Sequence, residues 1–320
     1  MGDVRRVLIT GATGFVGAYL VAHLAETYPD WQVTGTTRHA AQADFRFIQC
    51  DLHDASAVTS LVEQMKPEMV VHLAGQSNVP ASFADPEATL ANNILGTLHL
   101  LDACRMHTPH ARLLIVSSNE VYGPTPPEAQ PLHEDRPLRP INPYAVSKAA
   151  QEMLAVQYAH SYALDVVVAR PFNHIGPGQT NRFVVSAFAQ QIVEVERGER
   201  RVISVGNLDA ARDFTDVRDV VRAYGMLLER GERGGVYNIG RGTAVPIGDL
   251  LDMLCRLARV AISITRDPAR LRPSDAPVMM ADTTRLRHAT GWQPEISLTQ
   301  SLDETLAWWR AELAAEGAGG

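Results

Sequence analysis

Short apolar or β-branched runs alternate along the chain with longer stretches in which apolar residues recur at helical spacing. The runs at 6–10, 31–37, 45–50, 69–75, 112–117 and 165–170 read as strands. Between them, Leu20, Val21 and Leu24 share one helix face, as do Leu90, Ile94, Leu98 and Leu101. Helices are predicted at 54–65, 86–107 and 143–162. An alternation kept up to about residue 170 predicts an α/β fold with a doubly wound parallel sheet. Beyond 173 the pattern changes to helices at 183–197, 246–259 and 299–315 with short strands, and 236–239 reads as a seventh strand. The chain is therefore expected to build one domain from 1–172, to which it returns at about 213–240. A smaller C-terminal lobe is expected from 173–212 and 241–320.

The stretch at 124–143 interrupts the alternation. It carries seven prolines with Glu134 and Asp135, and a helical pattern resumes directly after it, so it reads as a surface loop. Composition adds little: 46% of the 320 residues are apolar and 20% charged, as in an ordinary soluble enzyme. The net charge of -7 argues against a nucleic-acid or membrane-surface role. The three cysteines, Cys50, Cys104 and Cys255, are scattered through apolar runs. They predict buried thiols in a reducing cytoplasm, with neither a disulfide framework nor a metal site. The first residues lead straight into a strand without a secretory-signal pattern, and no stretch approaches the ~18 apolar residues of a membrane span.

The first strand ends in Thr10-Gly11-Ala12-Thr13-Gly14-Phe15-Val16-Gly17, and a helix follows. Strand, glycine turn and helix together give this motif its meaning. Gly11 permits the tight turn, Gly14 lets a pyrophosphate approach N–H groups at the helix start, and Gly17 allows close helix–strand packing. This predicts a Rossmann-like dinucleotide site. After the second strand no acidic residue is present to hold a ribose 2′-hydroxyl, and Arg38 offers a guanidinium to a 2′-phosphate. NADP(H) is therefore favoured, with NAD(H) as the alternative. Asp51 and Leu52 follow the third strand, where they can meet an adenine. Leu73, Ala74 and Gly75 end the fourth strand in small residues that leave room for a ligand. His72 lies within that apolar run and reads as a core or dimer-side histidine, with no second ligand spaced for a metal.

The strongest chemical signal is Tyr144 with Lys148 four residues on, just inside a predicted helix start and so on one helix face. An ammonium beside a phenol is expected to bring its titration down toward neutrality, which makes Tyr144 a candidate proton donor. Ser118, at the end of the fifth strand, is placed to orient the same substrate oxygen. Asn119 and Glu120 follow it. Asn119 cannot act as an acid.

These residues resemble the extended short-chain dehydrogenase/reductase family over essentially the whole chain. The Thr10–Gly17 motif is similar to its cofactor motif, and Ser118, Tyr144 and Lys148 to its catalytic residues. In the family that these residues resemble, the position of Glu120 is that of a base near a sugar C5, as a dehydration needs; Glu120 could be that base or could only orient hydroxyls. The segment Arg170-Pro171-Phe172-Asn173-His174-Ile175-Gly176-Pro177-Gly178-Gln179 resembles that of GDP-6-deoxy-D-mannose reductases, and Gly206-Asn207-Leu208-Asp209-Ala210 with Arg212-Asp213 is similar to the segment those reductases share with GDP-mannose 4,6-dehydratases. The resemblance implies a GDP-sugar substrate, NAD(P)H as cofactor with Pro171 in its site, and a cytoplasmic homodimer joined through a four-helix bundle. It implies substrate contacts from Ser118, Asn119, Asn173, Arg182, Asn207, Arg212, Arg272 and Asp275. Asp213, Asp216 and Asp219 are expected to cap helices or pair with cations. The expected reaction reduces GDP-4-dehydro-6-deoxy-D-mannose to GDP-D-rhamnose. A GDP-mannose 4,6-dehydratase, a nucleotide-sugar 4-epimerase and a non-catalytic dinucleotide sensor are the alternatives.

Overall fold

The computed structural model describes residues 5–38, 45–270 and 276–318. Its strands in chain order are β1 (Arg5–Thr10), β2 (Trp31–Thr37), β3 (Phe47–Gln49), β4 (Met69–His72), β5 (Arg112–Val116) and β6 (Asp165–Pro171). Then come β7 (Asn173–Ile175), β8 (Ile203–Val205), β9 (Ala211–Asp216), β10 (Val236–Ile239), β11 (Ala244–Pro246), β12 (Ile264–Arg266) and β13 (Val278–Met279). Seven of them form a parallel sheet in the order β10-β6-β5-β4-β1-β2-β3. The order reverses beside β1, which opens a crevice at the carboxyl ends of β1 and β4. A small second sheet sets β9 between β11 and β13, with β7 also paired to β9, and β8 pairs with β12.

The helices in chain order are α1 (Phe15–Thr27), α2 (Ala55–Met65), α3 (Val79–Ala84), α4 (Pro86–Leu90), α5 (Gly96–His107) and α6 (Pro143–Ser161). They continue with α7 (Val184–Glu196), α8 (Val217–Arg230), α9 (Ile247–Leu257), α10 (Thr284–Thr290) and α11 (Leu298–Ala318). One face of the main sheet packs on Leu20 and Leu24 of α1 and on Val220 and Leu227 of α8. The other packs on Val58 of α2, Leu100 of α5 and Ala155 of α6. Each fully buried Leu or Val here contributes roughly 1.5–3 kcal/mol relative to exposure. A separate core joins Phe188 of α7, Leu254 of α9 and Leu306 of α11, under the small sheet. Among the described residues no helix is long and apolar enough to cross a membrane.

Local sequence explains most helix starts. Asp54 caps α2 by accepting from the Ser56 and Ala57 N–H groups. Asp216 accepts from the Arg218 N–H and pairs with its guanidinium. Asp219 pairs with Arg222 and accepts from the Glu295 and Ile296 N–H groups. Asp213 accepts from the Arg241, Gly242 and Ala281 N–H groups. These aspartates are structural, as the sequence suggested. The helix predicted at 86–107 runs unbroken from Pro86 to His107, with one π-helical turn at Ala91–Leu95 between α4 and α5.

His72 is a core residue joining three elements. Its Nδ1 meets Thr10 Oγ1 at 2.7 Å and its Nε2 meets Thr97 Oγ1 at 2.9 Å. Burial, with a smaller effect from Lys148, pulls the imidazole down to about 3 from its ordinary 6.5. The unfolded chain then binds a proton that the folded chain refuses between those two values, so this group costs stability as pH falls below 6.5. His72→Gln is expected to lose less stability than the parent on acidification, by about 1.4 kcal/mol per pH unit within that window. Urea titrations at neutral and mildly acidic pH check this. Parallel losses in the two proteins would refute it.

Candidate active site

A cleft of about 1130 Å³ opens above the carboxyl ends of β1, β2, β4, β5 and β6. Sites for single small ligands commonly run roughly 300–1,000 Å³, so this one has room for a long ligand or for two. At one end it is walled by Gly11, Thr13, Gly14, Phe15, Val16 and Gly17. Gly11 has φ +72°, and a Cβ there would stand 2.8 Å from the Ala74 nitrogen. A Cβ on Gly17 would meet the Gly11 carbonyl oxygen at 2.3 Å. Both positions therefore need glycine. Gly14 starts α1 without a side-chain cap, so the first-turn N–H groups are left to an anion.

Thr36, Thr37 and Arg38 line the next part, with Asp51 and Leu52 across from them. Asp51 holds its own turn by accepting from the His53 N–H at 3.0 Å. Leu73, Ala74 and Gly75 form the floor toward the middle. The π-helical turn explains how this floor is fixed. Asn93, fully buried, accepts from the Gln76 N–H at 2.8 Å and donates to the Gln76 carbonyl at 3.0 Å and to Ser147 Oγ at 2.8 Å. It thus ties the loop after β4 to α6.

Helix α6 begins at Pro143, and Asn142 caps it by accepting from the Ala145 N–H at 2.7 Å. Its first turns bring Tyr144 and Lys148 to Ser118, which follows β5, and all three are buried and line the cleft. Ser118 Oγ accepts from the Glu120 N–H at 3.2 Å. Lys148 donates to the Val116 carbonyl at 2.8 Å. The expectation that Tyr144 titrates nearer neutrality is overturned, because burial outweighs any neighbouring charge. Burial pushes the phenol up to about 12, Glu120 adds to the rise, and a hydrogen bond with Ser118 works against it. Lys148 is itself pulled down to about 8 by burial. Helical spacing predicts the right neighbours but carries no information about desolvation, which dominates here.

The far end of the cleft is lined by Asn173, Gln179, Arg182, Asn207 and Arg212. Arg212 donates to the carbonyls of Ala211 and Ala276, both at 2.8 Å, which sets its guanidinium against the cleft wall. Asn207 accepts from the Asp209 N–H at 3.0 Å. Pro171 and Asn119 line the middle. Arg272 and Asp275 lie outside the described residues.

Among the described residues nine buried side-chain polar atoms have no hydrogen-bond partner, and those of Gln76, Ser117, Asn173, Gln179 and Tyr224 belong to residues lining this cleft. An unpaired buried polar atom is costly, so a concentration of them in one cavity marks a place built for polar ligands. With the glycine cradle, this fits a dinucleotide and a polar partner. Gln76, Asn93 and Tyr224 were not singled out in the sequence. The paired Asn92-Asn93 inside an apolar helical stripe was the one visible sign.

The family model described as GDP-mannose 4,6 dehydratase matches residues 8–305. The chain belongs to this family. A GDP-6-deoxy-D-mannose reductase of Pseudomonas aeruginosa is 40% identical, over 98% of this chain and 99% of that protein. The solved structure of RMD from Pseudomonas aeruginosa, complexed with NADPH, superposes with a TM-score of 0.85 at 39% identity, covering 96% of this chain and 99% of that one. A Thermus thermophilus UDP-glucose 4-epimerase complexed with NAD gives 0.86 at 29% identity, covering 95% and 99%. The short-chain dehydrogenase/reductase resemblance and the doubly wound α/β fold read from the sequence are borne out.

Proposed function

We propose that this chain is an NAD(P)H-dependent reductase of a GDP-4-keto-6-deoxy-hexose, converting GDP-4-dehydro-6-deoxy-D-mannose to GDP-D-rhamnose. The observation that carries this reading is a buried phenol beside Ser118 in a cleft with a dinucleotide cradle. Such a phenol can give its proton to a carbonyl oxygen that receives a hydride. The similarity to a GDP-6-deoxy-D-mannose reductase over nearly the full length supports the substrate class.

A reduced nicotinamide, when bound, supplies the hydride. Tyr144 donates its proton to the sugar O4 as charge develops there. Ser118 donates a hydrogen bond to the same oxygen and fixes the carbonyl against Tyr144. Lys148, buried at the same spot, contributes positive charge that stabilises the phenolate left behind. Gly11 to Gly17 hold the pyrophosphate, Asp51 and Leu52 the adenine, and Leu73, Ala74, Gly75 and Pro171 the middle of the cofactor. Asn119, Asn173, Arg182, Asn207 and Arg212 meet the nucleotide sugar, whose two phosphates call for guanidinium partners. The test is to supply the purified protein with the keto sugar and NADPH and follow cofactor absorbance. Turnover of GDP-mannose without any reductant would overturn the reading.

The lining residues from 11 to 148 and those from 173 to 279 suggest a division of labour between the two parts of the chain proposed above. Hydrogen exchange should show NADPH protecting the first set and GDP the second; protection of one set by both ligands would contradict it. Arg38 lines the ribose end of the cleft and is proposed to select the 2′-phosphate. Arg38→Ala should weaken NADPH binding roughly tenfold to hundredfold, in line with the about 1.5–3 kcal/mol of a charge-assisted hydrogen bond, and leave NADH binding nearly unchanged. Equal losses for both cofactors in titrations would sink that role.

We also propose a cytoplasmic homodimer. Leu95, Met106, Val146 and Met153 are exposed apolar residues on the neighbouring α5 and α6 region, with Met153 62% exposed. Such a face is suited to a second copy packing as a four-helix bundle. Light scattering should give twice the chain mass, and Met153→Glu should give the monomer. A monomeric parent protein would contradict the assembly.

A further inference from the structure

The reductase reading leaves Glu120 unexplained. It lines the cleft close enough to Tyr144 to raise that phenol's pKa, and a carboxylate there could remove the C5 proton of a 4-keto sugar. That proton is acidified by the neighbouring carbonyl, so a free carboxylate in reach would scramble C5.

One side chain bears on this directly. Asn142 Nδ2 donates to Glu120 Oε2 at 3.0 Å. Its Oδ1 is committed to the Ala145 N–H at 2.7 Å, as the cap of α6. The cap removes the freedom of the amide to flip, because Oδ1 must face the helix and Nδ2 must then face the carboxylate. Asn142 is buried, so water does not readily replace the bond. A hydrogen bond to one carboxylate oxygen occupies that oxygen and fixes the orientation of the group.

We propose that Asn142 is a positioning residue that restrains Glu120 and so keeps the site from attacking C5. This inference rests on the reductase reading. In the step it suppresses, the C5–H bond breaks, the proton passes to the Glu120 carboxylate, and the electron pair moves into the C4 carbonyl as an enolate held by Tyr144. Reversal with a solvent deuteron returns the keto sugar labelled at C5, with no oxidant or reductant consumed.

The test uses Asn142→Ser. Serine keeps a side-chain acceptor for the helix cap but is too short to reach Glu120. Asn142→Asp is a second variant that keeps the cap and cannot donate to Glu120. Parent and variants are incubated in D2O with the GDP-4-keto-6-deoxy sugar and NADP+, and C5 deuterium is followed by NMR. The parent should exchange slowly, and each variant about tenfold faster or more, against the roughly 10²–10⁴ that a positioned general base contributes. Adding Glu120→Gln to either variant should abolish the gain. A helix-cap defect alone would not raise exchange. Variants that exchange no faster than a slow parent, or a parent that already exchanges rapidly, would overturn the inference. NADPH-dependent reduction by the parent is measured in parallel. Its absence would count against the reductase reading, whereas reduction without faster exchange in the variants would remove only the role of Asn142.

Discussion

Tyr144→Phe is expected to lower kcat with the 4-keto sugar by roughly 10²–10⁴, the range for loss of a positioned acid. NADPH affinity should change little, because the role proposed for the phenol is toward the substrate oxygen and the cradle of Gly11 to Gly17 is untouched. The substitution leaves the ring in place and removes one buried hydroxyl. Its surroundings hold the phenol protonated up to about 12, so the acid is in its working form throughout the physiological range. The upper pH limit then comes from Lys148, which burial brings down to about 8. Below that value it is charged and supports the developing phenolate. Above it the charge is lost, and the parent's kcat should fall. Single-turnover rates and cofactor titrations on the same samples separate the two effects. Unchanged turnover in the variant would remove Tyr144 from the proton-donor role.

Glu152→Ala should destabilise the fold by about 3–5 kcal/mol, the cost of leaving a buried charge without its partner. Arg170, at the end of β6, is held from several sides. Its Nε donates to Glu152 Oε2 at 3.0 Å, and a second guanidinium nitrogen donates to Oε1 of the same carboxylate. Nη1 donates to Tyr122 Oη at 2.8 Å and to the Glu134 carbonyl at 2.9 Å. Tyr122 passes its own proton to Asn238 Oδ1 at 2.7 Å. The network therefore joins α6, the turn after Ser118, the 124–143 loop and β10. Removing the carboxylate strands the guanidinium, while Arg170→Met with Glu152→Met should recover much of the loss. Guanidinium unfolding of the singles and the double gives the coupling. Singles within about 1 kcal/mol of the parent, as for a surface pair, would contradict the account.

The features that could be read from the sequence are those set by local chemistry. A strand running into Gly11, Gly14 and Gly17 specifies a turn whatever the rest of the chain does. Tyr144 and Lys148 meet because a helix puts them on one face, and the apolar alternation fixed the sheet. What could not be read depends on partners far along the chain. Arg170 was seen only as the start of a loop motif, although it meets Glu152, Tyr122 and Glu134. The π-helical turn at Ala91–Leu95 carries Asn93, whose partners lie at Gln76 and Ser147. The direction of the Tyr144 shift was misjudged because it follows from burial, a property of the packed whole. The link between Asn142 and Glu120 is likewise invisible in the sequence, since the two lie 22 residues apart with a proline-rich loop between them.

The most direct test of the central claim is to follow a label from the cofactor. NADPH carrying deuterium at the transferred position of the nicotinamide is given to the protein with GDP-4-dehydro-6-deoxy-D-mannose, and the product is read by NMR. The account predicts one deuterium at C4 of GDP-D-rhamnose, one NADP+ formed per sugar reduced, and no label elsewhere. A product without deuterium at C4, or conversion of GDP-mannose to the keto sugar with no NADPH consumed, would contradict it.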